Sequence, residues 1–341
     1  MKGLLPHVAA LGLATALALV VWSRGDKAGD SDTTQKIEVW GGTPERVESI
    51  RFESPQRTVS LAAKKDATGT YYVGTVDKEE GSRPKPNPAA SADAGAPPAP
   101  LPPSKRVTTH FVGVKEAVEF AGKLAPLFAV RELGPIAGNR AEEFGLDKPE
   151  GTLKVKVAGV EQVLVIGGTT PGGQERYAKR EPGGVVYAVS GDVVQTLLGA
   201  ESRLLERELH GFAENDVTRL RITRAGKSRE AVTFTEKKGA WADAAQPGKL
   251  DETLGNFVSK VGRLHPTEYV EAPSPPLTPE SAVLRIEYFG GTKSLGFLEL
   301  YKAPGEKGND YFVRTEYSRW TTKVLASTGE QVEQDVASIV R

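Results

Sequence analysis

Val47-Glu48-Ser49-Ile50-Arg51-Phe52 alternates apolar and polar residues, and 170 residues later Val217-Thr218-Arg219-Leu220-Arg221-Ile222 does so again. A period of two is the pattern of a strand with one face in a core and the other in water. Working outward, Gly69-Thr70-Tyr71 keeps the same offset against Gly239-Ala240-Trp241. Phe120 and Lys123 then match Phe257 and Lys260, Pro149-Glu150 matches Pro279-Glu280, and Tyr177 matches Tyr311. The matches are collinear, which predicts an internal repeat.

Each copy reads as strands, a helix, and strands again. Thr58–Ala63 and Tyr71–Val73 are expected strands, matched by Ala231–Glu236 and the stretch near Trp241. Val114, Ala117, Val118, Ala121 and Leu124 recur at helical spacing, as do Leu250, Leu254, Phe257, Val258, Val261 and Leu264. Strands are expected near Leu127–Glu132 and Glu268–Glu271, then two hairpins per copy, led by Leu153-Lys154-Val155 and Leu284-Arg285-Ile286. A closing helix after Thr328, with Gln331 as capping-box partner, ends the chain. The expected fold class is α+β: two duplicated, mainly antiparallel sheet-plus-helix domains behind a single N-terminal transmembrane helix.

Between the first strands and the first helix lies GSRPKPNPAASADAGAPPAPLPPSKR, residues 81–106, which holds 8 of the chain's 23 prolines. Such a stretch cannot bury enough surface to order itself and reads as a disordered insertion inside a loop, or as a proline-rich ligand. The expected domains are therefore 36–212, interrupted at 81–106, and 213–341.

The leading segment Leu4–Trp22 carries no formal charge. As a helix it covers about 30 Å, roughly one hydrocarbon core. Leu4, Leu11, Leu17, Val20 and Trp22 are its expected anchor contacts, residues 1–24 the signal anchor and 25–35 a tether. The alternative, a cleaved signal peptide, needs a small-x-small site after the apolar core, where Val20-Val21-Trp22 stand instead. Lys2 precedes the segment and a slight acidic excess follows it. The charge asymmetry therefore puts the amino end in the cytoplasm and the bulk of the chain outside, in the periplasm of a bacterium.

The chain has 341 residues, 44 Lys+Arg against 44 Asp+Glu, and no cysteine. Charge balance argues against nonspecific nucleic-acid binding. The absence of cysteine excludes disulfides, thiol nucleophiles and Cys-ligated metals. The four histidines, His7, His110, His210 and His265, fall at no metal-ligand spacing, and no G-x-S-x-G marks a nucleophile elbow. Gly226-Lys227-Ser228 and Gly291-Thr292-Lys293-Ser294 imitate a phosphate loop but lack its leading glycine or its Gly-Lys-Ser/Thr core, and read as hairpin turns. Ser190-Gly191-Asp192 and Asp251-Glu252 read as helix starts. No cofactor and no metal is expected. Candidate partner contacts are the glycine-rich loop at Gly167, Gly168, Thr169 and Thr170, and the aromatic and basic strand positions Tyr177, Arg180, Tyr311 and Arg314. Turn geometry is the leading explanation of the loop and cross-strand packing that of the tyrosines, while solvated strand faces explain the arginines equally well.

With these residues in view the chain resembles the family called domain of unknown function 4340. The likeness rests on Phe144-Gly145-Leu146-Asp147-Lys148-Pro149 before the strand Thr152–Val157, then Ile166-Gly167-Gly168-Thr169-Thr170-Pro171. It continues through Tyr177-Ala178-Lys179-Arg180, Val186-Tyr187-Ala188-Val189-Ser190, and Phe212–Ile222 with Asp216-Val217-Thr218-Arg219. It spans roughly residues 36–341 and departs at the proline-rich insertion and at Tyr71, where tryptophan is commoner. The resemblance implies an outward-facing envelope protein, often associated with ABC-type transport systems like those of gliding machinery, and carries no catalytic residue. The expected function is thus a non-enzymatic scaffold, tethered in the inner membrane by a single span, for envelope or transporter proteins. A cell-wall glycan or ligand-binding module is the alternative, and a hydrolase a third reading.

Overall fold

The offset that separates Val47 from Val217 also separates two sheets. A computed structural model describes residues 36–80, 105–136, 140–270 and 277–341. The first half holds β1 (Ile37–Trp40), β2 (Val47–Ser54), β3 (Arg57–Asp66), β4 (Gly69–Glu80), β5 (Lys105–Gly113), α1 (Lys115–Leu124) and β6 (Leu127–Pro135). It continues with β7 (Gly151–Val157), β8 (Val160–Thr169), β9 (Glu175–Glu181), β10 (Val185–Ser190), α2 (Gly191–Leu198) and α3 (Ala200–Arg203). The second half holds β11 (Arg219–Arg224), β12 (Lys227–Thr233), β13 (Trp241–Asp243), α4 (Glu252–Val261) and β14 (Pro266–Val270). It ends with β15 (Ala282–Gly290), β16 (Lys293–Gly305), β17 (Gly308–Thr315), β18 (Thr321–Val324) and α5 (Ala326–Ile339).

The ten-stranded first sheet runs β1-β6-β10-β9-β8-β7-β2-β3-β4-β5, and the eight-stranded second runs β14-β18-β17-β16-β15-β11-β12-β13. Without the outer strands β1 and β5, the first sheet has the strand order of the second. Register agrees as well: Ile50 faces Val155 and Phe52 faces Leu153, while Leu220 faces Tyr288 and Ile222 faces Ile286. The inward positions of each sheet meet helices, Phe120 and Leu124 of α1 with Val194 and Leu197 of α2 in the first half, Phe257 and Val261 of α4 with Val332 and Val336 of α5 in the second, and build two hydrophobic cores.

The expected fold class is corrected. Strand accounts for 50% of the described residues and helix for 22%, in two antiparallel sheets, so the molecule is mostly β rather than α+β. The physical reason is length. Period-two patterning runs through three consecutive strands at Val47–Glu80 and four at Gly151–Ser190, whereas the longest helix among the described residues has 14 residues. Among the described residues no helix is long and apolar enough to cross a membrane. The expected span Leu4–Trp22, with Leu4, Leu11, Leu17, Val20 and Trp22, lies outside the described residues. The closing helix also differs: it starts at Ala326 with Leu325 as N-cap and no side-chain cap bond, so Thr328 lies inside it. Strands β4 and β5 pair from Tyr72–Gly113 to Glu80–Lys105, so residues 81–104 connect the two arms of one hairpin.

The halves are joined by side chains that cross between them. Tyr269 of β14 is buried in the first core and its hydroxyl donates to Glu206 O at 3.0 Å. Arg319 Nε donates to Asp66 Oδ2 at 2.8 Å, and its guanidinium stands over the Tyr71 ring at 4.7 Å. Trp320 packs on the same core and meets His110, ring centroids 6.5 Å apart.

Candidate functional site: an apolar cavity in the second half

The segments leading into β2 and β11 align without a gap, Ile37-Glu38-Val39-Trp40-Gly41 against Arg207-Glu208-Leu209-His210-Gly211. Each then forms a 3-10 turn, Pro44–Arg46 and Glu214–Asp216. In the first half this segment is β1, paired with β6 through Glu38–Phe128 and Trp40–Leu127. The Trp40 indole is buried and its Nε1–H donates to Leu124 O, at the end of α1, at 2.7 Å.

In the second half His210 stands where Trp40 does, and its smaller ring turns elsewhere. Nδ1 lies 3.0 Å from Glu316 Oε1, and the ring stacks on Phe212 and meets the edge of Tyr288, each at 4.6 Å between centroids. Glu316 is itself fixed, accepting the Phe297 N–H at 2.8 Å. Gly296 makes that possible, since a Cβ there would lie 2.2 Å from the Glu316 carboxyl carbon. Burial, and then the Glu316 charge, push the Tyr288 phenol far above its ordinary range, so it stays neutral.

Behind this cluster opens a cavity of about 200 Å³. Its walls are aliphatic: Leu209 and Val217 from the leading segment, Leu220 from β11, Val258 and Val261 from α4, Leu264, Ile286 and Leu298. Arg207, Glu208, Glu214 and His265 also border it, with His210 and Tyr288. A concave, mainly apolar site with a few convergent polar groups suits the binding of an apolar group with a polar edge. Among the described residues no group of three or more His, Asp or Glu is placed to hold a metal ion.

The residues singled out from sequence are engaged inside the fold. A Cβ at Gly167 would lie 2.3 Å from Phe144 O, and one at Gly145 (φ 64°) would lie 2.7 Å from Gly168 N. These glycines therefore let the turn at Glu142–Phe144 close on β8. Thr169 faces Arg176 in the β8–β9 ladder, and Thr170 N–H donates to Glu175 O at 3.1 Å. Tyr177 meets the Phe144 ring edge-on at 4.8 Å, and Arg180 donates to Val39 O at 2.7 Å. Tyr311 donates to Glu333, and Arg314 Nε donates to Glu299 Oε2 at 3.0 Å. They do not gather into one surface. The cavity is formed by other residues, and its one signal in the sequence is the alignment of Trp40-Gly41 with His210-Gly211.

Fold and site define an antiparallel β protein of two like-ordered sheets, one of which holds an apolar cavity. Residues 135–279 match the family described as Domain of unknown function (DUF4340). The match runs from the end of β6 through β14, and so includes the leading segment, β11 and α4 of the cavity wall. No curated protein and no solved structure matches the chain.

Proposed function

We propose that this chain is a non-enzymatic interaction protein of the cell envelope, held at the membrane by its apolar leading segment with the two sheets on the outer side. Its role is accessory to a transport or envelope assembly, and it meets its partner through the second-half cavity. The observation that carries this reading is the cavity itself: an aliphatic hollow behind the His210–Glu316 pair, at the place where the first half is filled by its own Trp40. A concave, mainly apolar hollow with a few polar groups at its border is the form a binding site takes. The 19 uncharged residues Leu4–Trp22 support the membrane placement.

The test is crosslinking in intact cells, followed by detergent extraction and affinity capture of the full chain. The reading expects a membrane or envelope protein in near-stoichiometric amount, lost when the cavity is filled by substitution. Capture of none, with retention of the purified chain on peptidoglycan, would instead support a glycan-binding module.

A further inference from the structure

We infer that the second-half cavity binds a free, uncharged aromatic molecule of one or two fused rings with a polar ring atom at its edge, held by the Tyr288 hydroxyl. This deepens the reading of the cavity as a binding site and rests on it. The hollow holds the small molecule and the segment over it meets the protein partner, so the two readings fail separately.

The space suits a flat ring. Ile50, Leu153 and Leu164, which share a core with the Trp40 indole, stand in their sheet where Leu220, Ile286 and Leu298 stand around the cavity. Two changes open it: His210 in place of Trp40, and Val261 in place of the larger Leu124. Its volume, about 200 Å³, exceeds the roughly 150 Å³ of an apolar cavity that accepts benzene. The rings of His210, Phe212 and Tyr288 cluster at its border, with centroids 4.6, 4.6 and 5.3 Å apart, and favour an aromatic occupant.

A polar partner stands among them. Tyr288 faces Leu220 as Val155 faces Ile50, so a phenol replaces an aliphatic side chain of the first half. Tyr288 is 8% exposed and lines the cavity together with Ile286, two residues away on the same face of β15. Among the described residues its hydroxyl has no hydrogen-bond partner, yet no sealed side-chain oxygen there goes unpartnered. The hydroxyl therefore opens onto accessible space, and for a side chain so enclosed that space is the cavity. Burial keeps the phenol neutral, and a neutral phenol accepts from a ring N–H or donates to a ring nitrogen or oxygen.

Charge and access narrow the class. The aliphatic walls hold no counter-ion, so a charged ligand would lie buried and unpaired. In the first half β1 brings Trp40 to its place, and in the second the chain's own residues 207–211 occupy the position of β1. That side is taken, which leaves a free molecule as the occupant.

The experiment uses the full chain in lipid nanodiscs, with 5-fluoroindole and 1-fluoronaphthalene as 19F probes. Fluoroindole should bind saturably, and His210→Trp should weaken it about tenfold or more. Should that variant fail to fold, Val261→Phe, which narrows the cavity from α4, should do the same. Tyr288→Phe should weaken fluoroindole about fivefold, the worth of one hydrogen bond, and leave fluoronaphthalene unchanged. N-acetyltryptophanamide, which carries the same ring on a peptide backbone, should bind at least tenfold more weakly than fluoroindole. Absence of saturable binding, or binding that neither cavity variant disturbs, overturns the proposal. Equal effects of Tyr288→Phe on both probes overturn the polar edge, and tight binding of N-acetyltryptophanamide overturns the free molecule. None of these results depends on whether cell crosslinking captures a partner protein, which tests the interaction role separately.

Discussion

Arg319 and Asp66 meet across the two halves, Nε to Oδ2 at 2.8 Å, with the Arg319 side chain almost fully enclosed. Arg319 Nη2 also donates to Thr68 Oγ1, and the guanidinium lies between the rings of Tyr71 and Tyr317, 4.7 and 5.3 Å from their centroids. The β3–β4 turn of one sheet is thereby fixed to the loop between β17 and β18 of the other. Arg319→Ala should loosen this junction without unfolding either core. Hydrogen exchange should quicken at residues 66–71 and 315–320, with the interiors of β7 and β15 unchanged.

The same contact gives a pH dependence. The Thr68 hydroxyl and backbone N–H, followed by Arg319, hold the Asp66 carboxyl down at about 2. A carboxylate with a depressed folded value stabilises fully above its unfolded value of about 4 and loses that contribution as the pH falls toward the folded one. The junction should therefore stay intact at pH 5 and loosen between about pH 4 and 2. In Asp66→Asn the exchange rate at residues 315–320 should show no acid step in that window.

Tyr269 anchors the second half in the first core. Tyr269→Phe removes one buried hydrogen bond to Glu206 O and should cost about 1 kcal/mol. Tyr269→Ala leaves a cavity and should cost about 3–5 kcal/mol. Denaturant unfolding of the two variants checks the order.

Gly167→Ala tests whether the glycine-rich loop is a matter of packing. The added carbon would lie 2.3 Å from a backbone oxygen, Phe144 O, which cannot rotate away. A loss of about 1–3 kcal/mol is expected, the usual cost of overpacking. Gly172→Ala, with open space around its Cβ but a φ of 109°, separates backbone strain from crowding.

Residues 81–104 join two strands that pair up to Glu80–Lys105. Replacing them by a four-residue turn shortens the closed loop several-fold and should raise stability by about 1–2 kcal/mol, by loop-closure entropy alone. A fall in melting temperature would mean that the segment makes contacts of its own.

Much of the fold was legible in the sequence because its strands are half-buried. Ile50 and Phe52, or Leu220 and Ile222, alternate with charged neighbours, and that pattern survives without tertiary context. The helix at Glu252–Val261 was legible for the same reason, and Asp251 caps it by accepting the Leu254 N–H at 3.0 Å. What escaped were β1, only four residues long, and β5, whose Val-Thr-Thr-His run follows the proline-rich stretch and has no clear alternation. The weight of strand over helix was missed because the helices, though regular, are short. The cavity was invisible for a different reason. It depends on a pair of unlike residues, Trp40 and His210, which the 170-residue offset aligns but whose difference in size says nothing of a cavity until the surrounding walls are in place. A residue that leaves space carries no motif.

The account turns on the claim that the second half is an unplugged copy of the first, and the melting temperature of His210→Trp in the full chain tests it most directly. The pair lost with Glu316 is partly exposed and contributes at most about 1 kcal/mol. An indole placed as Trp40 is placed should fill the cavity and recover more than that, so the melting temperature should rise. A fall of several degrees, with the folded chain still binding fluoroindole as tightly as before, would contradict the claim.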